Sequence, residues 1–282
     1  MQVTTLHDAT GSAGLLPDEL RRLYDGNLGF RQELARPLIV GNFVQTLDGI
    51  VSFKIPGRSG GGEISGRNEE DTFIMGLLRS CADAVLIGEE TYRVARKHLW
   101  TADFIYPKLK DEYQALRRRL QKRSSHPLTV IASGKGSIEL TGALFKQSEV
   151  TAVILTTKAG KERIEQKHGT ALPCDIQVLP GDGVLHPADM ASLLYGRYGV
   201  KLLLHEGGPM LFASFLQDHL VDELFLTIAP QIVGRGAMGE RPAFSGQLSF
   251  GPGESRWGAL LSIKTAVTGH LFLRYQWEHS GA

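Results

Sequence analysis

The chain lacks most of what would tie it to a metal, a membrane or a polyanion. Its two cysteines, Cys81 and Cys174, stand far apart in 282 residues with no Cys-x-x-Cys spacing, which excludes a disulfide framework and a thiolate zinc site. Both read as buried thiols. Thirty-one Lys and Arg against thirty Asp and Glu leave a formal net charge of +1, so no global field draws in nucleic acid or an anionic membrane. Any anion site must be local. No apolar run reaches the roughly 18 residues of a membrane span. The N-terminus has no basic stretch ahead of an apolar core, so a cytoplasmic protein is expected. Repeats and low-complexity tracts are also missing.

What is present suits a soluble globular protein, with 42% hydrophobic and 22% charged residues. Residues 1–35 begin polar and turn amphipathic in PDELRRLYDG, where Pro17 and Asp18 can open a short helix that Gly26 ends. An N-terminal arm packed on one main domain, residues 36–282, is expected. From Arg36 apolar strands (PLIVGNFVQ, DAVLIG, LTVIAS, VTAVILTT, CDIQVLP, VKLLLH) alternate with helical stretches. That rhythm predicts an α/β fold with a largely parallel sheet and helices on both faces. DELFLTIAPQIVG and ALLSIKTAVTGHLFLRYQW then read as strands without helices between them, so the C-terminal end should pair antiparallel. SGGGEISG reads as a mobile loop.

The stretch LLLHEGGPMLFASFL, residues 202–216, reads as a strand, a tight turn and a helix N-terminus. Gly207 and Gly208 allow positive φ and close backbone approach, and Pro209 suits the first helical turn. Such a turn offers N–H groups at the positive end of a helix dipole and invites a phosphate. In NFVQTLDGIVSF, Asp48-Gly49 reads either as a hairpin turn or as the lip of a cleft. In SGRNEEDTFIMGLLRSCADAVLIGEETYR, Ser65 can cap a helix whose last turn holds Arg79, there as a helix-end charge or as a ligand contact. The next strand ends at Gly88, an edge where open α/β sheets place ligands, and Thr91 can cap the helix that follows.

NFVQTLDG, LLRSCADAVLIGEETYR and LLLHEGGPMLFASFLQDHLVDELFLTIAPQIVGRG together resemble the signature blocks of the pyrimidine reductases of riboflavin biosynthesis, in that family's order, from about Arg36 onward. The resemblance implies a dihydrofolate-reductase-like three-layer αβα fold, NADPH as cofactor, a phosphorylated pyrimidine substrate and a homodimer. The family's zinc deaminase half has no counterpart, since H-x-E with a later P-C-x-x-C is missing. No metal is expected.

By that resemblance Glu206 and Arg79 contact substrate. Gly207, Gly208, Pro209, Met210 and Leu211 hold the cofactor pyrophosphate, and Val44, Gly88, Thr91 and Ser133 lie along the dinucleotide. Ser133 and Thr157, with Lys135 and Lys158, offer donors for the 2′-phosphate. Asp48 or Glu206 supplies the proton, because a carboxyl in a closed cleft can have a raised pKa. His205 falls on no family ligand and reads as a strand histidine. The chain departs from the family at Ala95, where many members carry aspartate, and no arginine follows in the substrate-side position. Arg93, Arg96 and Lys97 read either as another phosphate grip or as a solvated helix face. Reduction of a pterin-like ring, or NADP(H) binding without catalysis, is the alternative.

Overall fold

The structure, a computed structural model, describes residues 1–11, 15–31, 35–181, 183–236 and 241–277. Its strands are β1 (Thr4–Asp8), β2 (Leu38–Thr46), β3 (Ala84–Gly88), β4 (Leu128–Ala132), β5 (Ala152–Thr156), β6 (Asp175–Val178), β7 (Leu202–His205), β8 (Glu223–Ala229), β9 (Ala259–Thr265) and β10 (Leu271–Gln276). They form one ten-stranded sheet in the order β1-β9-β10-β8-β2-β7-β3-β4-β5-β6. The central strands are apolar on both faces: every residue of β5 and β7 is buried. Such strands are stable only with helices on each side.

The helices are α1 (Asp18–Tyr24), α2 (Gly61–Ile64), α3 (Glu69–Cys81), α4 (Glu89–Val94), α5 (Ala102–Ile105), α6 (Lys110–Arg119), α7 (Lys158–His168), α8 (Pro187–Tyr198) and α9 (Pro209–Gln217). Leu20 of α1, Leu77 of α3, Tyr113 of α6 and Ile164 of α7 share one core with Val85 and Ile87 of β3. Met190 and Leu194 of α8 and Phe212 and Phe215 of α9 share the other, with Leu86 of β3. The expected three-layer αβα arrangement is thus present, and β3 alternates its side chains between the layers. Among the described residues no helix is long and apolar enough to cross a membrane.

Tertiary context changes several local expectations. The N-terminal arm forms the expected helix α1, but its first residues also enter the sheet as an edge strand, Thr4 pairing with Thr265 across an antiparallel ladder. The C-terminal end is not wholly antiparallel, because β8 pairs antiparallel with β10 but runs parallel to β2, Val44 opposite Thr227. The Gly-rich loop contains the short helix α2, whose end carries Ser65. The cap of α3 is instead Asn68, whose side chain accepts from Asp71 N at 2.8 Å. Thr91 is not a cap either: Gly88 opens α4 and Thr91 lies within it. Cys81 is buried and Cys174 half-buried, both as free thiols.

Candidate active site at the carboxyl edge of the sheet

Parallel pairing fixes which strand ends meet. Gly41 of β2 and Leu86 of β3 both stand opposite His205 of β7, so the next residue, Glu206, emerges between β2 and β3. Its N–H donates to Leu86 O at 2.9 Å. Arg79, from the last turn of α3, then reaches the Glu206 carboxylate at two points. Nε donates to Oε1 at 3.1 Å and Nη2 to Oε2 at 2.7 Å. Asn42 Nδ2 lies 3.5 Å from the same Oε1. The arginine side chain is 2% exposed and the glutamate 8%. Nη1 of Arg79 donates to the Thr101 carbonyl at 3.2 Å and contacts His98 Nε2 at 3.1 Å.

Arg79 is therefore not a solvent-facing phosphate ligand. Its guanidinium is committed to positioning Glu206, and burial with that adjacent charge pushes His98 down to about 3. A neutral His98 can accept from Arg79.

The glycine turn behaves differently from its sequence expectation. Neither glycine takes positive φ; Gly208 sits at φ −66° and ψ 168° as the residue before α9, with Pro209 at the first helical position. Close approach is the operative reason. A Cβ on Gly207 would meet His205 Cε1 at 2.8 Å and Leu211 Cδ2 at 3.0 Å. On Gly208 it would be accommodated without a clash, in ordinary contact with Thr91 Oγ1 at 3.6 Å. The first-turn N–H groups of Met210 and Leu211 have no helical acceptor ahead of them and can donate to an anion.

His205 braces this turn. It is fully buried, with edge contacts to Phe212 and Phe215 at 5.0 and 4.9 Å, and its Nδ1 accepts from Gly207 N at 3.2 Å. Desolvation pushes its pKa down to about 3, which suits a neutral structural imidazole.

Around the turn gather Gly88, whose Cβ position lies 3.8 Å from Leu211 Cδ2, and Thr91. Ser133 and Thr157 stand at the ends of the neighbouring strands, but their hydroxyls are engaged. Ser133 Oγ donates to Glu89, and Thr157 Oγ1 caps α7 while donating to Gly134 O at 2.9 Å. Lys135 and Lys158 are exposed beside them. Val44 is 8% exposed and packs with Ile64 and Ala229 under α2, so its side chain is not part of an open surface.

Asp48 also corrects a prediction. Gly49, at φ +81°, turns the chain, and the Asp48 carboxylate accepts from Gly234 N at 2.7 Å, Val233 N at 3.3 Å and Thr46 Oγ1 at 2.5 Å. Those donors, the Thr46 hydroxyl first, hold its pKa below the ordinary carboxylate value, the reverse of what a proton donor needs. It anchors the loop that follows β8, where Arg235 Nη2 comes within 3.8 Å of the Cβ position of Gly49. Ala95 ends α4, Arg93 pairs with Glu90, and Arg96 and Lys97 are exposed, the arrangement of a solvated face.

The residue that sequence reasoning passed over is Asp71, one of three acidic residues in the first turn of α3. It is 7% exposed. Burial raises its pKa above 3.8 despite hydrogen bonds with Thr227 and Ser65, and the charge of Glu206 adds to the rise. The available signal was its place two turns before Arg79 on one helix. Asn42 was equally legible, as a polar residue inside an apolar strand.

The family profile of the RibD C-terminal domain matches residues 37–250. The chain is 27% identical over 201 residues to the 2,5-diamino-6-ribosylamino-4(3H)-pyrimidinone 5′-phosphate reductase of Archaeoglobus fulgidus, covering 71% of this chain and 83% of that protein. The same-named protein of Methanothermobacter thermautotrophicus is 28% identical over 200 residues, with 71% and 80% covered. In fold the chain is similar to a pyrimidine reductase-like protein from Corynebacterium diphtheriae, at TM-score 0.67 and 20% identity, covering 86% of this chain and 93% of that one.

Proposed function

This chain belongs to the RibD C-terminal domain family, and on that premise we propose that it reduces a ribosylaminopyrimidine phosphate in riboflavin biosynthesis, with NADPH as hydride donor. The observation that carries the reading is the adjacency, at the carboxyl end of β7, of the glycine turn and a buried carboxylate held by Arg79. The relatives named above as reductases of that substrate class support it. Gly208, Met210 and Leu211 would hold the pyrophosphate, with Thr91 beside it, and Lys135 and Lys158 would favour the 2′-phosphate.

Bound there, the dihydronicotinamide supplies a hydride to an electrophilic carbon. Reducing the C=N bond of the ring-opened ribosylamino group to CH–NH places that hydride on carbon and a proton on nitrogen. The protein orients the substrate through Glu206 and Asn42 and holds a proton at the Asp71 carboxyl, whose raised pKa keeps it protonated to higher pH than an ordinary aspartate. Arg235, on the loop anchored by Asp48, would meet the substrate phosphate. Trp257, 92% exposed beside β9, and the edge strand β1 support a homodimer.

The test follows loss of NADPH absorbance with the deaminated pyrimidine ribosylphosphate, its undeaminated form and dihydrofolate in parallel. Turnover of either ribosylphosphate is expected, with NADPH preferred over NADH. Turnover of dihydrofolate alone would transfer the proposal to a pterin-like substrate, and equal affinity for both nucleotides would remove Lys135 and Lys158 as phosphate ligands.

A further inference from the structure

At the opposite end of the sheet from the glycine turn lies a cavity of about 760 Å³. Its lining includes residues at or just before the first positions of five parallel strands: Leu38 of β2, Asp83 before β3, Leu128 of β4, Thr151 before β5, and Lys201 and Leu202 at β7. The strands between the two ends are four to nine residues long, so the cavity is separated from the proposed active site by on the order of 15 Å. Nothing in the reductase reading uses it.

The described lining is rich in cations. Among the described residues Arg31, Arg36, Arg117, Lys122, Arg123 and Lys201 line it, against Asp83 as the one carboxylate. Part of that charge is neutralised: Lys122 pairs with Asp83 at 2.8 Å, and Arg31 and Arg36 pair with the buried Asp222 at 2.7 and 2.8 Å. Arg117 caps the carboxyl end of α3, donating to Ala82 O at 2.8 Å and Ser124 O at 3.0 Å. Arg123 and Lys201 are exposed, and no described carboxylate lies within 4.0 Å of either charge. The guanidinium of Arg123 rests over Gly199, where a Cβ would stand 2.6 Å from Nη1. In a protein of net charge +1, this concentration of cations in a recess is a local feature.

We infer that this cavity is a second small-molecule site, for an organic phosphate of nucleotide size. Its volume falls within the roughly 300–1,000 Å³ of ligand pockets and exceeds what a single phosphate fills. Arg123 and Lys201 supply charge-assisted contacts to the phosphate, while Tyr195, which also lines the cavity and is 38% exposed, offers an aromatic surface to the organic part.

The test is calorimetric titration of the full chain using 5′-AMP, adenosine and pyrophosphate as probes. The comparison protein carries Arg123→Glu and Lys201→Glu, two exposed changes remote from the glycine turn. The difference between the proteins therefore does not depend on the cofactor reading. One AMP per chain is expected, weakened at least about tenfold by the double substitution and progressively by salt, with adenosine binding at least about tenfold more weakly than AMP. Unaltered circular dichroism of the double variant establishes that the loss is local. Pyrophosphate binding as tightly as AMP, and lost in the same variant, would keep the anion site and remove the organic part of the inference. AMP binding that is absent, unaffected by the double substitution, or no tighter than adenosine would overturn it.

Discussion

Arg79 and Glu206, from α3 and the end of β7, form a two-point ion pair that is almost wholly withdrawn from water. Neither partner can be lost alone without leaving an unpaired charge in a desolvated place. Arg79→Ala should cost about 3 to 5 kcal/mol of stability in urea denaturation, and Arg79→Lys less. Glu206→Gln, which removes the charge but keeps shape and one acceptor for Arg79, should lose some stability yet fold, and should bind NADPH nearly as well while losing kcat/KM. Unchanged unfolding of Arg79→Ala would return Arg79 to the standing of a helix-end charge.

The two glycines of the turn should separate by phenotype. Gly207→Ala pushes a Cβ into His205 and should lower thermal stability. Gly208→Val adds its side chain in ordinary contact with Thr91 rather than in a clash, so it should leave the fold intact and weaken NADPH by at least about 1.4 kcal/mol, a factor of ten. Fluorescence titration of NADPH checks this, and unchanged affinity in folded Gly208→Val would refute the phosphate cradle.

Asp71 should give activity a basic limb. Because its folded pKa is raised from 3.8, the proton is held to higher pH and kcat should decline as pH rises through the raised value. The stability linked to this group is complete below about 3.8 and is lost across the same window. Asp71→Asn should cut kcat by about 10²-fold or more and remove that limb from the pH profile, without raising KM for NADPH. A profile that keeps the limb in Asp71→Asn would assign the proton elsewhere.

His205 and His98 should make the protein acid-labile. Both have folded pKa values near 3 against 6.5 ordinarily, so their contribution is complete above 6.5 and is lost as pH falls toward 3. Each should remove about 1.4 kcal/mol per pH unit in that window. His205→Asn, which keeps an acceptor near Gly207 N, should be less stable at neutral pH but show a shallower acid slope in urea denaturation. An unaltered slope would show that other groups govern acid unfolding.

The sequence alone determined the layer architecture, because strands apolar on both faces alternating with helical stretches leave few other ways to bury their surfaces. It also located the glycine turn, since Gly-Gly-Pro after an apolar strand has a local meaning. What it could not decide were relations between distant segments. Asp48 carries the same Asp-Gly signal whether its carboxyl is free or, as here, anchored by the backbone of Val233 and Gly234. Arg79 sits in a helix's last turn either way, and only parallel register brought Glu206 beneath its guanidinium. Asp71 looked like an ordinary helix-start charge until packing removed its water. Propensity and spacing act over a few residues, whereas ion pairing and desolvation depend on which elements the sheet brings together, and that was settled by the tertiary structure.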